Sequence, residues 1–510
     1  MKKERFLLIA PFVVVILGMI GYMLGEHYTW YEAVLASLKL LKVHLDPLPE
    51  GNVMLEVARW TGVLFFFSLI YTAAVAIVNR GIVLIKVRKN NSTAVHGDSA
   101  YATLLAKGLG KKGILSDEKL SYKAKRQVFL YNSDEKSLAD FQQHSNLFDS
   151  SQTIYLGLNS IRQEAIKKSQ DVPLYIVNMA EIKAVDYWEK NICTSSKRIV
   201  LIGSGELAEK ILYWGLLINV FAIENNCTYS LIGDFKSFFN LHPVIKDRMR
   251  ENGNDKVIEL EGDWTSHFDE LINADRIILC GNPADNVEIA AKIIETIPDK
   301  KIHVGVESKT MQEVLDSERC EFFGVMSEDT IEKMFFKDGV ELAAKICDAS
   351  YSDYLEWRDS EKTKTVSAEG ILKKVRSDQF EADWKKKSSY KRVSNLACAL
   401  HDNQKLKLMK DLGIISDQLS FTENVKAFDA LPYEKQRELM EIEHIRWNRY
   451  LFLNNWRPTE PGEKRNDTLK VHNCLIPFKA LPEEEAVKDA VYYYTLPLRI
   501  RKTTESANGL

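Results

Sequence analysis

The chain has 510 residues and a net charge of −3, with 68 Lys and Arg against 71 Asp and Glu. That balance excludes a protein held to a polyanion by bulk charge and gives no reason to expect a nucleic-acid partner, while the length is ample for a membrane hairpin and two or three soluble domains. The seven cysteines (Cys193, Cys227, Cys280, Cys320, Cys347, Cys398, Cys474) are scattered and lack C-x-x-C spacing, so they read as reduced, mostly buried thiols and not as disulfides or metal ligands.

Two apolar runs, 6–24 and about 61–78, each approach the roughly 20 residues a helix needs to cross a bilayer core. Lys2, Lys3 and Arg5 precede the first, as they would in a signal peptide, but no small-x-small cleavage site follows cleanly and a second run comes soon after. Residues 1–90 are therefore expected to form a two-span α-helical membrane module in contact with lipid. Cations flank the pair (Lys2, Lys3, Arg5, then Arg80, Lys86, Arg88, Lys89), whereas Glu26, Glu32, Asp46, Glu50 and Glu56 offset Lys39, Lys42 and Arg59 between the runs. The positive-inside rule then places both termini on the cytoplasmic side of a cell inner membrane.

Between the runs, 28–41 carries apolar residues at helical spacing, and Asp46-Pro47-Leu48-Pro49-Glu50-Gly51 breaks the helix. Span, short helix, turn, span is the order of a pore module, and the segment resembles the two-helix potassium-channel module. The filter position departs from that family: it reads Leu41-Lys42-Val43-His44-Leu45-Asp46, with no glycine to build a carbonyl-lined filter, so potassium selectivity is not expected. An interfacial helix with Tyr28, Trp30 and Tyr31 at headgroup level is the alternative.

From 92 to about 306 short β-rich runs alternate with helical ones, which predicts α/β architecture with mainly parallel sheets. Residues 91–192 read as a degenerate Rossmann-like domain: a strand at 93–96, the turn Gly97-Asp98-Ser99, a helix over about 100–109, then strands at 128–131, 153–157 and 174–177. Residues 193–348 read as a second such domain. There the strand 198–202, the turn Gly203-Ser204-Gly205-Glu206-Leu207-Ala208 and an apolar-faced helix make a G-x-G-x-x-A fingerprint. Further strands are expected at 229–232, 257–260, 276–280 and 302–306, with a helix over about 286–297. Gly203, Ser204 and Gly205 would let the backbone approach a pyrophosphate, and Asp234 ends the next strand where a ribose hydroxyl would sit. NAD or another nucleotide is the candidate cofactor; a turn that only packs helix on sheet is the alternative.

Two spans followed by such domains resemble the regulator-of-potassium-conductance (RCK) arrangement over roughly 1–350. That resemblance implies cytoplasmic domains that assemble beneath a pore as a homo-oligomer, a tetramer favoured, and respond to ligands. Its nucleotide role carries over only to Gly203, Gly205 and Asp234, because Gly97-Asp98-Ser99 lacks the second glycine.

Residues 349–392 are very polar and read as a helical linker. A small, mainly α domain over 393–510 follows. Its centre is Glu441-Ile442-Glu443-His444-Ile445-Arg446-Trp447, then Asn455-Trp456-Arg457, Lys464-Arg465-Asn466, and Lys470-Val471-His472-Asn473-Cys474-Leu475-Ile476-Pro477-Phe478 before Leu481-Pro482-Glu483-Glu484-Glu485. This resembles the ryanodine-receptor (RyR) repeat domain, departing where Asn455 replaces the usual Gly and Asn473 the usual Pro. Trp447 and Trp456 offer stacking faces; Arg446, Arg457, Lys464, Arg465 and Lys470 offer phosphate partners; His472 donates or accepts. The other reading makes Trp447, Trp456 and Phe478 the core of a small domain with solvated cations around it.

Taken together these features predict a non-enzymatic, ion-channel-like membrane sensor-effector gated by a nucleotide-derived signal. The RyR resemblance implies a role in nucleotide-signalled antiphage defence. A membrane-anchored NAD-binding oxidoreductase and a non-conducting scaffold are the competing readings.

Overall fold

The computed structural model describes residues 3–41, 52–87, 92–110, 113–115, 120–159, 161, 172–224, 226–245, 255–297, 299–315, 318–336, 338–359 and 367–500. The chain divides into two compact units, Met1–Ser92 and Thr93–Leu510.

The first unit holds α1 (Lys3–Gly25), α2 (Trp30–Leu40) and α3 (Val53–Val87). Thr29 starts α2, its N–H and hydroxyl both donating to Glu32 at 3.0 and 2.5 Å. Small residues let the helices close on one another: a Cβ at Gly18 would lie 2.6 Å from Ser37 Oγ, and one at Gly62 would collide with the Leu40 carbonyl. Val14, Ala33, Leu40, Leu55 and Ala58 fill the core so formed. Of the two expected spans, only α3 is long and apolar enough to cross a bilayer among the described residues; the apolar part of α1 is shorter, Ile9–Gly25. At 35 residues α3 overshoots the expected 61–78 at both ends, and only 6% of its most apolar stretch is buried. Residues 42–46 of the expected filter segment, the break at 46–51, and Arg88 and Lys89 lie outside the described residues.

Among the described residues, the second unit contains two large parallel sheets and a two-stranded one. The first orders its strands β2-β1-β3-β4-β5, with β1 Thr93–His96, β2 Gly113–Leu115, β3 Arg126–Phe129, β4 Thr153–Gly157 and β5 Leu174–Val177. The second runs β11-β10-β9-β6-β7-β8, with β6 Lys197–Ile202, β7 Cys227–Ile232, β8 Lys256–Leu260, β9 Arg276–Leu279, β10 Ile302–Gly305 and β11 Cys320–Phe323. In order of appearance that is 3-2-1-4-5-6 read from β8, the doubly wound arrangement whose switch point falls between β6 and β9. The central strands are buried on both faces, as parallel sheets with crossover helices require.

The crossover helices that matter below are α4 (Ala100–Gly108), α5 (Asp134–His144), α6 (Met179–Lys190) and α7 (Glu206–Ile218). Ser99, Ser133 and Asn178 cap α4, α5 and α6 through their side chains.

The C-terminal region is helical and does not stand apart. Trp214, Leu216 and Tyr229 of the second sheet's layer share one core with Ala397, Leu400, Tyr450, Phe452 and Trp456. The stretch expected as a linker packs as well. Helices Ala368–Val375 and Asp378–Lys386 bury Ile371, Val375, Phe380 and Trp384 against Ala343, Ile346, Ala399 and Leu498. The i, i+4 pairs Ile371/Val375 and Phe380/Trp384 give each short helix one apolar stripe in an otherwise charged sequence.

Candidate functional site

Two places gather the residues that the sequence singles out. At the switch point of the second sheet, Gly203 adopts φ 148° and a Cβ there would run into the Gly281 backbone, so the β6 and β9 loops touch. Ser204 Oγ accepts the Asp234 N–H at 2.8 Å, tying the glycine turn to the end of β7, and Asp234 Oδ1 accepts the Lys236 N–H at 3.0 Å. Gly205, at φ 88°, is exposed; a Cβ there would meet nothing within 4 Å among the described residues, and Gly205, the residue before α7, has no side chain with which to cap it. Gly203, Ser204, Gly205 and Asp234 are thus brought together.

The first turn of α7 carries Glu206 and Glu209. Asn178 donates to Glu206, and burial pushes both carboxyls above their ordinary range. The backbone fits the close approach of a dinucleotide, whereas these carboxyl groups complement the helix dipole themselves and stand against a diphosphate at that helix end.

The second place is the loop between two short parallel strands, β12 (Arg457–Pro458) and β13 (Val471–His472). Asn455 turns the chain into it at φ 63°, the left-handed conformation that glycine would take and that asparagine tolerates. Arg457 and Lys464 are exposed and make no side-chain hydrogen bond or ion pair among the described residues. Arg465 is bound by Asp467 through two contacts, 2.5 and 3.1 Å, and Lys470 reaches the Asn454 carbonyl at 3.2 Å.

Trp456, Trp447 and His472 border this loop. Trp456 is buried, stacked on Tyr390 at 5.5 Å on one side, with the Arg465 guanidinium 5.3 Å from its ring. Trp447 is half-buried and meets His472 edge-on at 5.1 Å. His472 Nδ1 accepts the Cys474 N–H at 3.0 Å, and burial pulls its pKa down to about 4, so it is neutral at pH 7. The faces of Trp456 are therefore taken by the protein.

Arg446 lies elsewhere. It is buried, and its guanidinium holds Glu443 at 2.7 to 3.1 Å. The expected role as a phosphate partner gives way to a core role, because at i, i+3 Arg446 faces Glu443 along the inner side of helix Tyr433–Leu453. Lys405 Nζ joins at 3.0 Å and His401 Nδ1 lies 3.7 Å away. Burial pushes Glu443 up, and Arg446, Lys405 and His401 outweigh it, holding the carboxyl well below its ordinary range. Burial, with Lys405 beside it, pulls His401 down to about 4.

Sequence reasoning also missed the buried pair Arg449 and Asp255, 2.5 Å apart. Arg449 also donates to the Leu216 carbonyl at 3.1 Å, and Asp255 accepts the Cys227 N–H at 2.6 Å, fastening the long helix to the second sheet. The signal available was an acidic residue just before a strand and an arginine running into the apolar stretch Tyr450-Leu451-Phe452-Leu453. No protein-family model, curated protein or solved structure matches this chain.

Proposed function

We propose that the protein is a membrane-bound sensor-effector: the helical unit spans or perturbs a bilayer, and the α/β and helical body binds a nucleotide-derived signal that changes its state. The observation that carries the reading is α3, a 35-residue apolar helix almost unburied along its apolar stretch, followed within a few residues by β1 of the α/β body. An exposed helix of this kind is stable where lipid or other copies cover it. A pore would need several copies, a tetramer by analogy with two-helix channels, with both termini cytoplasmic. The absence of a glycine-rich filter in the sequence favours weak selectivity.

On the ligand side, the exposed Arg457 and Lys464 of the β12–β13 loop form the surface offered to an anion, with the Gly203 turn as a second contact for a nucleotide. Signalling requires that the ligand bind one state of the body better than another. The RyR and RCK resemblances support this reading and, with it, a role in antiphage defence.

The ligand half is tested by calorimetry of the detergent-solubilised full chain against NAD, ADP-ribose and cyclic nucleotides. Arg457→Ala with Lys464→Ala is expected to weaken the binding nucleotide about tenfold or more with an unchanged melting temperature, because exposed cations contribute little to folding. Unaltered affinity in that double variant would remove the loop from the proposal.

A further inference from the structure

Cys347 and Cys398 are free thiols 51 residues apart in sequence, and their sulfurs lie 3.6 Å apart, with Cys347 donating to Cys398. They sit on helices Asp338–Asp359 and Ser389–Leu400, and both are buried, at 0% and 2% exposure. Ala343, Ala344, Ile346 and Ala349 of the first helix share a core with Ala399 of the second, and alanines at a contact let two helix axes approach closely. Close approach matters because a disulfide needs Cα atoms about 4.4–6.8 Å apart, and the two sulfurs are about 1.5 Å short of a covalent bond.

A third helix, Asp402–Asp411, supplies the charge. Lys405 Nζ donates to the Cys398 carbonyl at 3.2 Å and lies 3.7 Å from Cys398 Sγ. Burial pushes the Cys398 thiol up; the hydrogen bond from Cys347, with the Lys405 and Arg446 charges, outweighs burial and the opposing Glu443 and holds the thiol below its ordinary range. Burial pushes Cys347 the other way, well above its ordinary range, and its hydrogen bond to Cys398 adds to the rise. The two sulfurs are therefore unequal, Cys398 favouring the thiolate that attacks and Cys347 the thiol that follows.

We propose that Cys347 and Cys398 form a redox-responsive pair that a small hydroperoxide converts to a disulfide. The Cys398 thiolate attacks one peroxide oxygen, an S–O bond forms as the O–O bond breaks, and the departing hydroxide regains, as water, the proton that the Cys398 thiol had given up. Cys347 Sγ then attacks the Cys398 sulfenic acid; the S–S bond forms as the S–O bond breaks, and the leaving hydroxide takes the Cys347 proton as a second water. The two sulfurs lose two electrons and the peroxide gains them. Because both sulfurs are buried, the first step waits on local opening of the helices. The bond would fasten helix Asp338–Asp359 to the helix whose Ala397 and Leu400 pack with Trp214 in the core of the second sheet's layer. The pair stands independently of the membrane reading and of the ligand sites above.

Peptide mapping by mass spectrometry tests it, on the detergent-solubilised full chain treated with hydrogen peroxide under native conditions and then alkylated. The expected result is loss of two of the seven thiols, linked Cys347 to Cys398 and recovered with dithiothreitol. Cys347→Ala should leave Cys398 as a sulfenic acid that dimedone captures, whereas Cys398→Ala should leave Cys347 unlabelled; the map of the unaltered chain depends on neither variant folding. Amide hydrogen exchange across both helices should slow at least tenfold in the oxidised protein. No Cys347–Cys398 bond, its formation only after unfolding in urea, or faster linkage of another pair would overturn the assignment. Dimedone capture at Cys347 in Cys398→Ala would overturn the roles given to the two sulfurs, and unchanged exchange would overturn the fastening of the helices.

Discussion

Gly203 and Gly205 look alike in the fingerprint and differ in the fold. At Gly203 an added Cβ meets the Gly281 backbone, which cannot give way without moving the β9 loop, whereas at Gly205 there is open space and only the positive φ to resist a side chain. Gly205→Ala should therefore cost about 1–3 kcal/mol, the penalty of a side chain in an extended, positive-φ backbone region that essentially only glycine occupies, and Gly203→Ala more. Thermal denaturation of the two variants checks the order, and equal loss would show that the loops do not touch as described. The residue types at the turn and at Asp234 were legible because the glycine spacing follows directly on a β-rich run. The opposing carboxyl groups of Glu206 and Glu209 were also in plain sight, but their meaning depends on α7 starting at Glu206. Asn455 was legible as a departure from glycine, and its φ of 63° shows the turn keeping the backbone that glycine would have supplied.

At the level of elements, buried apolar strands announced themselves, and the shortest and the half-exposed ones did not. The strands expected at 153–157 and 174–177 coincide with β4 and β5, while the run expected at 128–131 sits two residues earlier as β3. β2 has only three residues and β11 is an edge strand with a half-exposed pattern, so neither offers a clear period. The helical character of the C-terminal region was legible, but the charges of helix Tyr433–Leu453 were not legible as core: the partner that closes the Glu443 cluster, Lys405, comes from another helix, Asp402–Asp411. Glu443→Gln leaves Lys405 and Arg446 buried without their shared counter-charge, a change that typically costs about 3–5 kcal/mol. Chemical denaturation should show a loss of that size. A loss below about 1 kcal/mol would mean that the cluster is hydrated in solution.

At the scale of the whole molecule, the sequence pointed to a helical N-terminal unit and an α/β body, and the chain divides into compact units there, but the sequence did not reveal that the C-terminal helices share a core with the second sheet. Apolar residues that fix the C-terminal helices to the second sheet, such as Leu400 and Tyr450, are scattered among charges and find partners only in three dimensions. The proposed function couples the two units: a ligand bound by the body alters what the helical unit does to a bilayer. The direct measurement is ion and dye release from liposomes carrying the full chain, with and without a nucleotide shown by calorimetry to bind. Ligand-dependent release with little preference between potassium and sodium is the predicted result, and release that is the same, or absent, with ligand bound would contradict it.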